Sequence, residues 1–290
     1  MPSKLMELGA CVRQHVSAGS TVFVGGFGQG VPFALAREII RSRVTGLTLC
    51  RTGADILFDQ LVAAGCVRRA IVGWYGNPGI GISHVMKRAS RDKSLDVTHT
   101  SNFGLLLALH AASLGVPFLP ARILGVGDTR AVHGAGMTCP FTNVPVTAVA
   151  AIRPDLAIVH AHRADEDGNI QIDGVLGDTV VGANASARVI CTAERIVSRA
   201  EIRERAQTTV IPGHRVAAVA LAPWGAYPSY MAGLYGRDDD AYFAFDRISR
   251  DPNALQAFLD ETIRRHGDHD AFVSALDRAR LNALATEERP

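Results

Sequence analysis

Aromatic residues are scarce, at 6% of 290 residues, which disfavours an aromatic-rich β-sandwich. Neither sign of charge dominates: 30 basic against 28 acidic residues leave a net charge of +2. A field that weak offers nothing to nucleic acid or to an acidic membrane surface. No apolar run approaches the roughly 18 residues of a membrane span, and residues 1–7 lack the apolar segment of a signal peptide. The five cysteines, Cys11, Cys50, Cys66, Cys139 and Cys191, form neither CxxC pairs nor an even framework. A disulfide scaffold is therefore disfavoured, and a reducing, cytoplasmic compartment is expected.

What is plentiful points to a large aliphatic core. Hydrophobic residues reach 48%, charged residues 20%, and there are 28 glycines, a balance that argues against disorder. Thr21–Val24 is a continuous apolar run ending in glycines, as a buried parallel strand would be. Pro32 fits the start of a helix, which Leu35, Ile39 and Ile40 continue to about Arg43. Leu47–Cys50 predicts a second strand, Ile56, Leu57, Leu61 and Val62 a helix closed by Gly65, and Ala70–Gly73 a third strand. A strand near Asp96–Thr98 leads into a helix from Ser101 to Leu114. The middle of the chain reads as strands at Val146–Ala150, Leu156–His160, Asn169–Ile172, Arg188–Thr192 and Val216–Leu221, separated by turns such as Asp165–Gly168. Beyond residue 240 the chain turns charged and helical, ending in Asp270–Leu284. No repeat or linker interrupts it. One α/β domain over residues 1–290 is expected, with an open, mostly parallel sheet flanked by helices and a helical C-terminal end.

The strongest local feature is Val22–Pro32, where a buried strand enters the cluster Gly25-Gly26-Phe27-Gly28-Gln29-Gly30 and a helix follows. Glycines let backbone approach a ligand, and a helix start offers free N–H groups to negative charge. A tight βα turn without a ligand is the alternative. A dinucleotide site fits poorly: the spacing is not GxGxxG, and Arg51 rather than an acid closes the second strand.

The cluster resembles the Gly-Gly-Phe stretch of family I CoA-transferases, in their A-type subunit. The likeness continues through Asp59-Gln60-Leu61, Gly76-Asn77-Pro78-Gly79-Ile80-Gly81, Gly115-Val116-Pro117-Phe118 and Cys139-Pro140-Phe141. It extends through Ile158–His162, Asp167-Gly168-Asn169, Ala222–Ser229 and Gly233-Leu234-Tyr235. It is strongest towards the glutaconate and 3-oxoadipate A subunits. The segment between Phe27 and Pro32 is one residue shorter than in 3-oxoacid CoA-transferases, and Tyr227 stands where glutaconate-type subunits carry His.

The resemblance implies an acyl-CoA and a carboxylic acid, dicarboxylic or oxo, as substrates, with no permanently bound cofactor. It also implies a separate B subunit in a heterodimer paired as A2B2. The nucleophile of such enzymes is a glutamate in a Ser-Glu-Asn-Gly motif of the B subunit, which this chain lacks. Its own Glu38 and Glu261 fit helical faces, Glu166 an acidic turn, and the other glutamates solvated surface. Substrate contacts are implied for Gly25, Gly26, Phe27, Gly28 and Gly30, for Thr52 and Gly53, and for Gly76, Asn77 and Ser101. Asn102 falls where relatives place a glutamine amide near the thioester, suited to stabilising an oxyanion. A plain helix cap by Ser101 or Asn102 is the alternative. A related ring-cleaving hydrolase family has glutamate at that position, and Asn102 cannot act as a base. An acyl-CoA hydrolase or a non-catalytic acyl-CoA-binding protein of the same fold are the rival functions.

Other candidates carry less. His160 and His162 share a strand face, which suits zinc or a hydrogen-bonded strand end; without a third ligand, no metal is expected. Cys66 and Cys139 read as small buried apolar residues. Trp74-Tyr75 suits either an acyl pocket or the core. Arg51 and Arg130 are candidates for a distal carboxylate by charge, with surface ion pairs as the alternative.

Overall fold

β1 (Thr21–Val24) emerges from an N-terminal helix, α1 (Leu8–His15), and lies at the centre of the sheet rather than at its edge. The computed structural model describes residues 2–124, 132 and 134–286. From β1 the chain builds outward through α2 (Phe33–Arg41), β2 (Leu47–Ala54), α3 (Ile56–Ala63) and β3 (Val67–Asn77). β4 (Gly81–Ile82), α4 (His84–Arg91), β5 (Asp96–His99) and α5 (Asn102–Ser113) follow. A separate antiparallel sheet comes next: β6 (Phe118–Ala121) and β7 (Gly134–Thr138) flank β8 (Pro145–Ala150). The chain then returns to the other side of β1 with β9 (Leu156–Ala164), continuing outward with β11 (Val189–Ile196) and β13 (Val216–Leu221).

Those strands make one parallel sheet in the order β13-β11-β9-β1-β2-β3-β5. β10 (Ile170–Gln171) and β12 (Thr209–Ile211) extend an antiparallel edge from β9. Because strands hide both faces, alternate side chains feed two cores. Val22, Val24, Leu49 and Ile158 pack with α1 to α4 and the C-terminal helices. Phe23, Cys50, Ala157 and Val159 pack with α5 and the helix Thr179–Ala185. Gly182 in that helix lies so close to the sheet that a Cβ would stand 2.1 Å from the Phe23 ring.

The chain reverses its direction of growth between β1 and β9. In open parallel sheets the carboxyl ends at such a point form a crevice, and the Gly25–Gly30 loop stands there.

Several elements differ from expectation. β2, β3, β9 and β11 run past their apolar segments into polar residues, because pairing and tertiary partners satisfy side chains that look exposed in sequence. β6, β7 and β12 carry too little alternation to read in advance. The C-terminal helix expected over Asp270–Leu284 is two helices, His269–Ser274 and Arg278–Leu284, split where Asp277 caps the second. Pro32 stands just outside its helix, as the cap before Phe33.

Candidate active site

A cleft of about 410 Å³ opens at the carboxyl ends of β1, β2 and β3. Gly28 comes from the loop after β1, Gly53 and Asp55 from the end of β2, Gly76 and Asn77 from the end of β3, and Asn102 from the start of α5. Phe27 and Trp74, 46% and 40% exposed, form an apolar rim. The pair Trp74-Tyr75 is divided: Trp74 faces the cleft, whereas Tyr75 packs against the core and lies 5.4 Å from the His99 ring.

The glycine loop is clamped from several directions. Gly25 N–H donates to the Ile158 carbonyl (2.9 Å), Phe27 N–H to Gln29 (3.1 Å) and Gly30 N–H to Tyr230 (3.0 Å). Gly26 N–H donates to Thr179 Oγ1 at 2.8 Å. Within the loop, the Gly28 N–H has no hydrogen-bond partner among the described residues. Buried Gln29 donates to the Asp173 and Val175 carbonyls, and Ser229 Oγ to the Gly28 carbonyl at 2.6 Å. Gly26 has φ +86°, and a Cβ there would lie 2.7 Å from the Gly30 carbonyl oxygen, so geometry and space both require glycine.

Arg51 lies beneath the loop and is 2% exposed. Its Nη1 pairs with Asp55 Oδ2 at 2.9 Å, and its Nη2 donates to the Gly26 carbonyl. The surface ion pair expected for it is therefore a buried strut joining β2, the loop and α3. Arg130 lies outside the described residues. The cation at the cleft rim is instead Arg237, whose Nε pairs with Asp239 while Nη1 reaches the Pro78 carbonyl.

Two side-chain amides border the cleft. Asn77 Oδ1 accepts from the Ile56 N–H at 3.2 Å, leaving its NH2 end towards the cleft. Ser101 caps α5 by accepting from Gly104 N–H at 2.9 Å, and Asn102 stands beyond it, exposed. A Cβ at Gly73 would lie 2.2 Å from Asn102 Oδ1. A glycine within a strand signals such close approach, and Gly73 is the readable trace of this contact. Thr52 turns away: its hydroxyl and N–H both reach Asp178 Oδ2, at 2.6 and 3.1 Å.

Asp55 is the one carboxylate bordering the cleft among the described residues, and it is engaged by Arg51 and by the Leu57 N–H at 3.0 Å. Two glutamates are buried: Glu38, expected on a helical face, and Glu194, expected to be solvated. Glu38 pairs with Arg41 at 2.8 Å. Glu194 accepts from His160 Nε2 at 2.7 Å, from Trp224 N–H at 2.8 Å and from the Tyr235 hydroxyl. Burial pushes the Glu194 carboxyl up, but His160, Tyr235 and the Trp224 N–H outweigh it and hold it below the usual range.

His160 is also bonded to Thr192 Oγ1 at 2.9 Å, and His162 Nε2 donates to the Ala232 carbonyl at 2.9 Å. Both imidazoles brace a strand end. Among the described residues no group of three or more His, Cys, Asp or Glu could hold a metal. Cys66 is buried as expected, but Cys139 is half-buried in the β7–β8 hairpin, where hydrogen bonds from Thr142 and Phe141 lower its thiol pKa. No helix among the described residues is long and apolar enough to cross a membrane.

Comparison with known proteins gives this geometry a family. The coenzyme A transferase family model matches residues 5–222. The A subunit of a 3-oxoadipate CoA-transferase from Pseudomonas knackmussii is 34% identical over 279 residues, 94% of this chain and 98% of that protein. The A subunit of glutaconate CoA-transferase from Acidaminococcus fermentans is 31% identical over 299 residues, 96% and 93% of the two chains. The crystal structure of glutaconate coenzyme A-transferase from Acidaminococcus fermentans superposes with a TM-score of 0.94 at 30% identity, covering 98% of this chain and 96% of that one. The chain belongs to the coenzyme A transferase family and resembles its A subunits from end to end.

Proposed function

We propose that this chain is the A subunit of a two-subunit enzyme that moves CoA from an acyl-CoA to a carboxylic acid, with the nucleophilic glutamate supplied by a B subunit in an A2B2 assembly. One observation carries the reading. The cleft offers donors for an oxyanion, while Asp55, the one carboxylate bordering it among the described residues, is spent on an ion pair and a helix cap. That supports an attacking group supplied from outside this chain.

The partner's glutamate attacks the thioester carbonyl, and the developing oxyanion accepts from the Gly28 N–H and the Asn102 amide. Collapse expels CoA thiolate and leaves an acyl–glutamyl anhydride. The thiolate attacks the glutamyl carbonyl, forming a glutamyl-CoA thioester and releasing the donor acid. The acceptor carboxylate then repeats these steps in reverse and leaves as the new acyl-CoA. The attack on the donor thioester and its reverse on the acceptor side each place an oxyanion on the acyl carbonyl, so a loop held rigid by Arg51, Gln29 and Ser229 serves both half-reactions. For a dicarboxylic or oxo acid, Arg237 at the rim, its charge shared with Asp239, is the cation proposed to meet the distal polar group.

A hydrolase would instead need a base to activate water, and an amide at position 102 supplies none. Turnover of the donor acyl-CoA by the co-expressed A and B chains should therefore require an acceptor acid and yield that acid's CoA ester; rapid release of free CoA without an acceptor would mark the hydrolase. In that assembly Asn102→Ala should lower turnover roughly 10²–10³-fold, the cost of a lost oxyanion donor. Unchanged turnover removes the role assigned to the amide.

A further inference from the structure

A second cavity, of about 230 Å³, shares no lining residue with the cleft and lies between α2, α3 and the C-terminal helices Asp239–Ser249 and Pro252–Leu259. Its wall is largely apolar, with Ile56, Phe245, Phe258, Ile263 and Phe272. A π-helical turn, Asp260–Arg264, brings Thr262 and Ile263 to that wall. Such turns recur at functional sites.

The polar pole of the cavity is Arg37, 3% exposed. Its Nη1 donates to the Tyr227 carbonyl at 3.0 Å, and the Phe272 ring stacks 3.9 Å from its Cζ. Nε and Nη2 have no hydrogen-bond partner, and no carboxylate pairs with this guanidinium among the described residues. Those two nitrogens form one edge of the planar group, the fork that takes a carboxylate through two parallel bonds. Gln60 Oε1, also buried on the wall, has no partner either. Its amide can turn end for end to present NH2 instead.

Burial, followed by repulsion from Arg41, lowers the Arg37 guanidinium to about 9, which leaves it charged at neutral pH. A buried cation with a free fork and, among the described residues, no counter-charge calls for an anion. Water could fill the donors but not the charge, and an apolar wall offers few of the polar partners that buried water needs. The volume is below the roughly 300–1,000 Å³ of sites for larger ligands, so the anion must be small.

We propose that this cavity binds a small monocarboxylate with a short apolar tail, its carboxylate on the Nε/Nη2 edge of Arg37 and its tail among Phe245, Phe258 and Ile263. The site is separate from the cleft and does not depend on the transferase reading.

Hexanoate is the probe, titrated into the full-length chain with hexanol and hexylamine as neutral and cationic controls. Saturable movement of the Arg37 Nε–H signal in ¹⁵N spectra and a rising Tm are expected with hexanoate alone. Ala244→Leu, which fills the cavity and spares the guanidinium, should weaken binding at least tenfold, as should Arg37→Met. Asn102→Ala, in the cleft, should bind hexanoate as the parent does. The proposal is overturned by no saturable shift at tens of millimolar hexanoate, by equal effects of hexanol, or by binding that survives Ala244→Leu. Loss of binding in Asn102→Ala alone would place the acid in the cleft and equally overturn it. If Arg37→Met does not fold, Ala244→Leu decides.

Discussion

Arg51 and Arg37 are both buried and both line a cavity, yet their guanidinium groups are employed differently. Arg51 has both terminal nitrogens engaged, one on Asp55 and one on the Gly26 carbonyl, so it neutralises an acid and fixes a loop. Arg37 has one engaged, on a carbonyl, and among the described residues keeps a complete edge free with no carboxylate paired to it. A cation bordering a cleft is thus no evidence for an anionic ligand. Which of its N–H groups remain unspent is what separates a strut from a receptor.

The largest expected effect tests that difference directly. Arg51→Met leaves Asp55 buried without its cation, which costs about 3–5 kcal/mol. Arg37→Met removes a charge that has no carboxylate partner among the described residues; the loss of one hydrogen bond and of the Phe272 stacking, each about 1 kcal/mol, is offset by the relief of that burial. Urea unfolding of the two variants should therefore give a large loss for Arg51→Met and a change within about 1 kcal/mol for Arg37→Met. Equal losses would break the comparison.

Asp59 sharpens it from the acid side. This carboxyl is 1% exposed and accepts from the Ser83 hydroxyl, with no ion pair among the described residues. Unlike arginine it can discard its charge. Burial, aided by Asp55 and resisted by Ser83, raises its pKa from 3.8 to about 7. The folded state therefore holds a proton that the unfolded chain releases. The stabilisation is complete below pH 3.8 and fades as pH rises through about 7. A shift of that size is worth up to roughly 4 kcal/mol. Asp59→Asn keeps an acceptor for Ser83 and removes the titration. Its unfolding free energy should lack the fall that the parent shows between pH 4 and 7; parallel profiles would refute a buried neutral acid.

Features set by near neighbours in sequence were legible. The apolar run Thr21–Val24 and its glycines predicted β1 and the loop, and the pair Ser101-Asn102 marked the start of α5, where Ser101 is the cap. Features set by distant partners were not. Glu194 looks like any surface glutamate, because His160, Trp224 and Tyr235, which bury and satisfy it, stand 30 or more positions away. Arg237 lies in a charged stretch that reads as solvated, and only the return of that segment across Pro78 brings it to the cleft. The glycine loop was readable as a backbone feature, but which N–H groups it keeps free depends on Ile158, Thr179 and Tyr230.

The smallest effect separates the cleft from its support. Ser101 and Asn102 are neighbours of similar polarity, and their side chains diverge. Ser101 Oγ satisfies the Gly104 N–H, one of the donors that a helix start leaves open, at 2.9 Å. Asn102 contributes no cap and borders the cleft above Gly73. Ser101→Ala should cost about 0.5–2 kcal/mol of stability while leaving turnover of the assembled enzyme within a few-fold of the parent, because α5 remains packed on the sheet through Leu105 and Leu109. Asn102→Ala should show the opposite profile, with parental stability and a turnover deficit. The two variants compared by urea unfolding and by steady-state kinetics give a crossed pattern if the cap and the oxyanion donor are distinct. A turnover loss in Ser101→Ala as deep as in Asn102→Ala would make the helix start itself, rather than one amide, the unit on which catalysis depends.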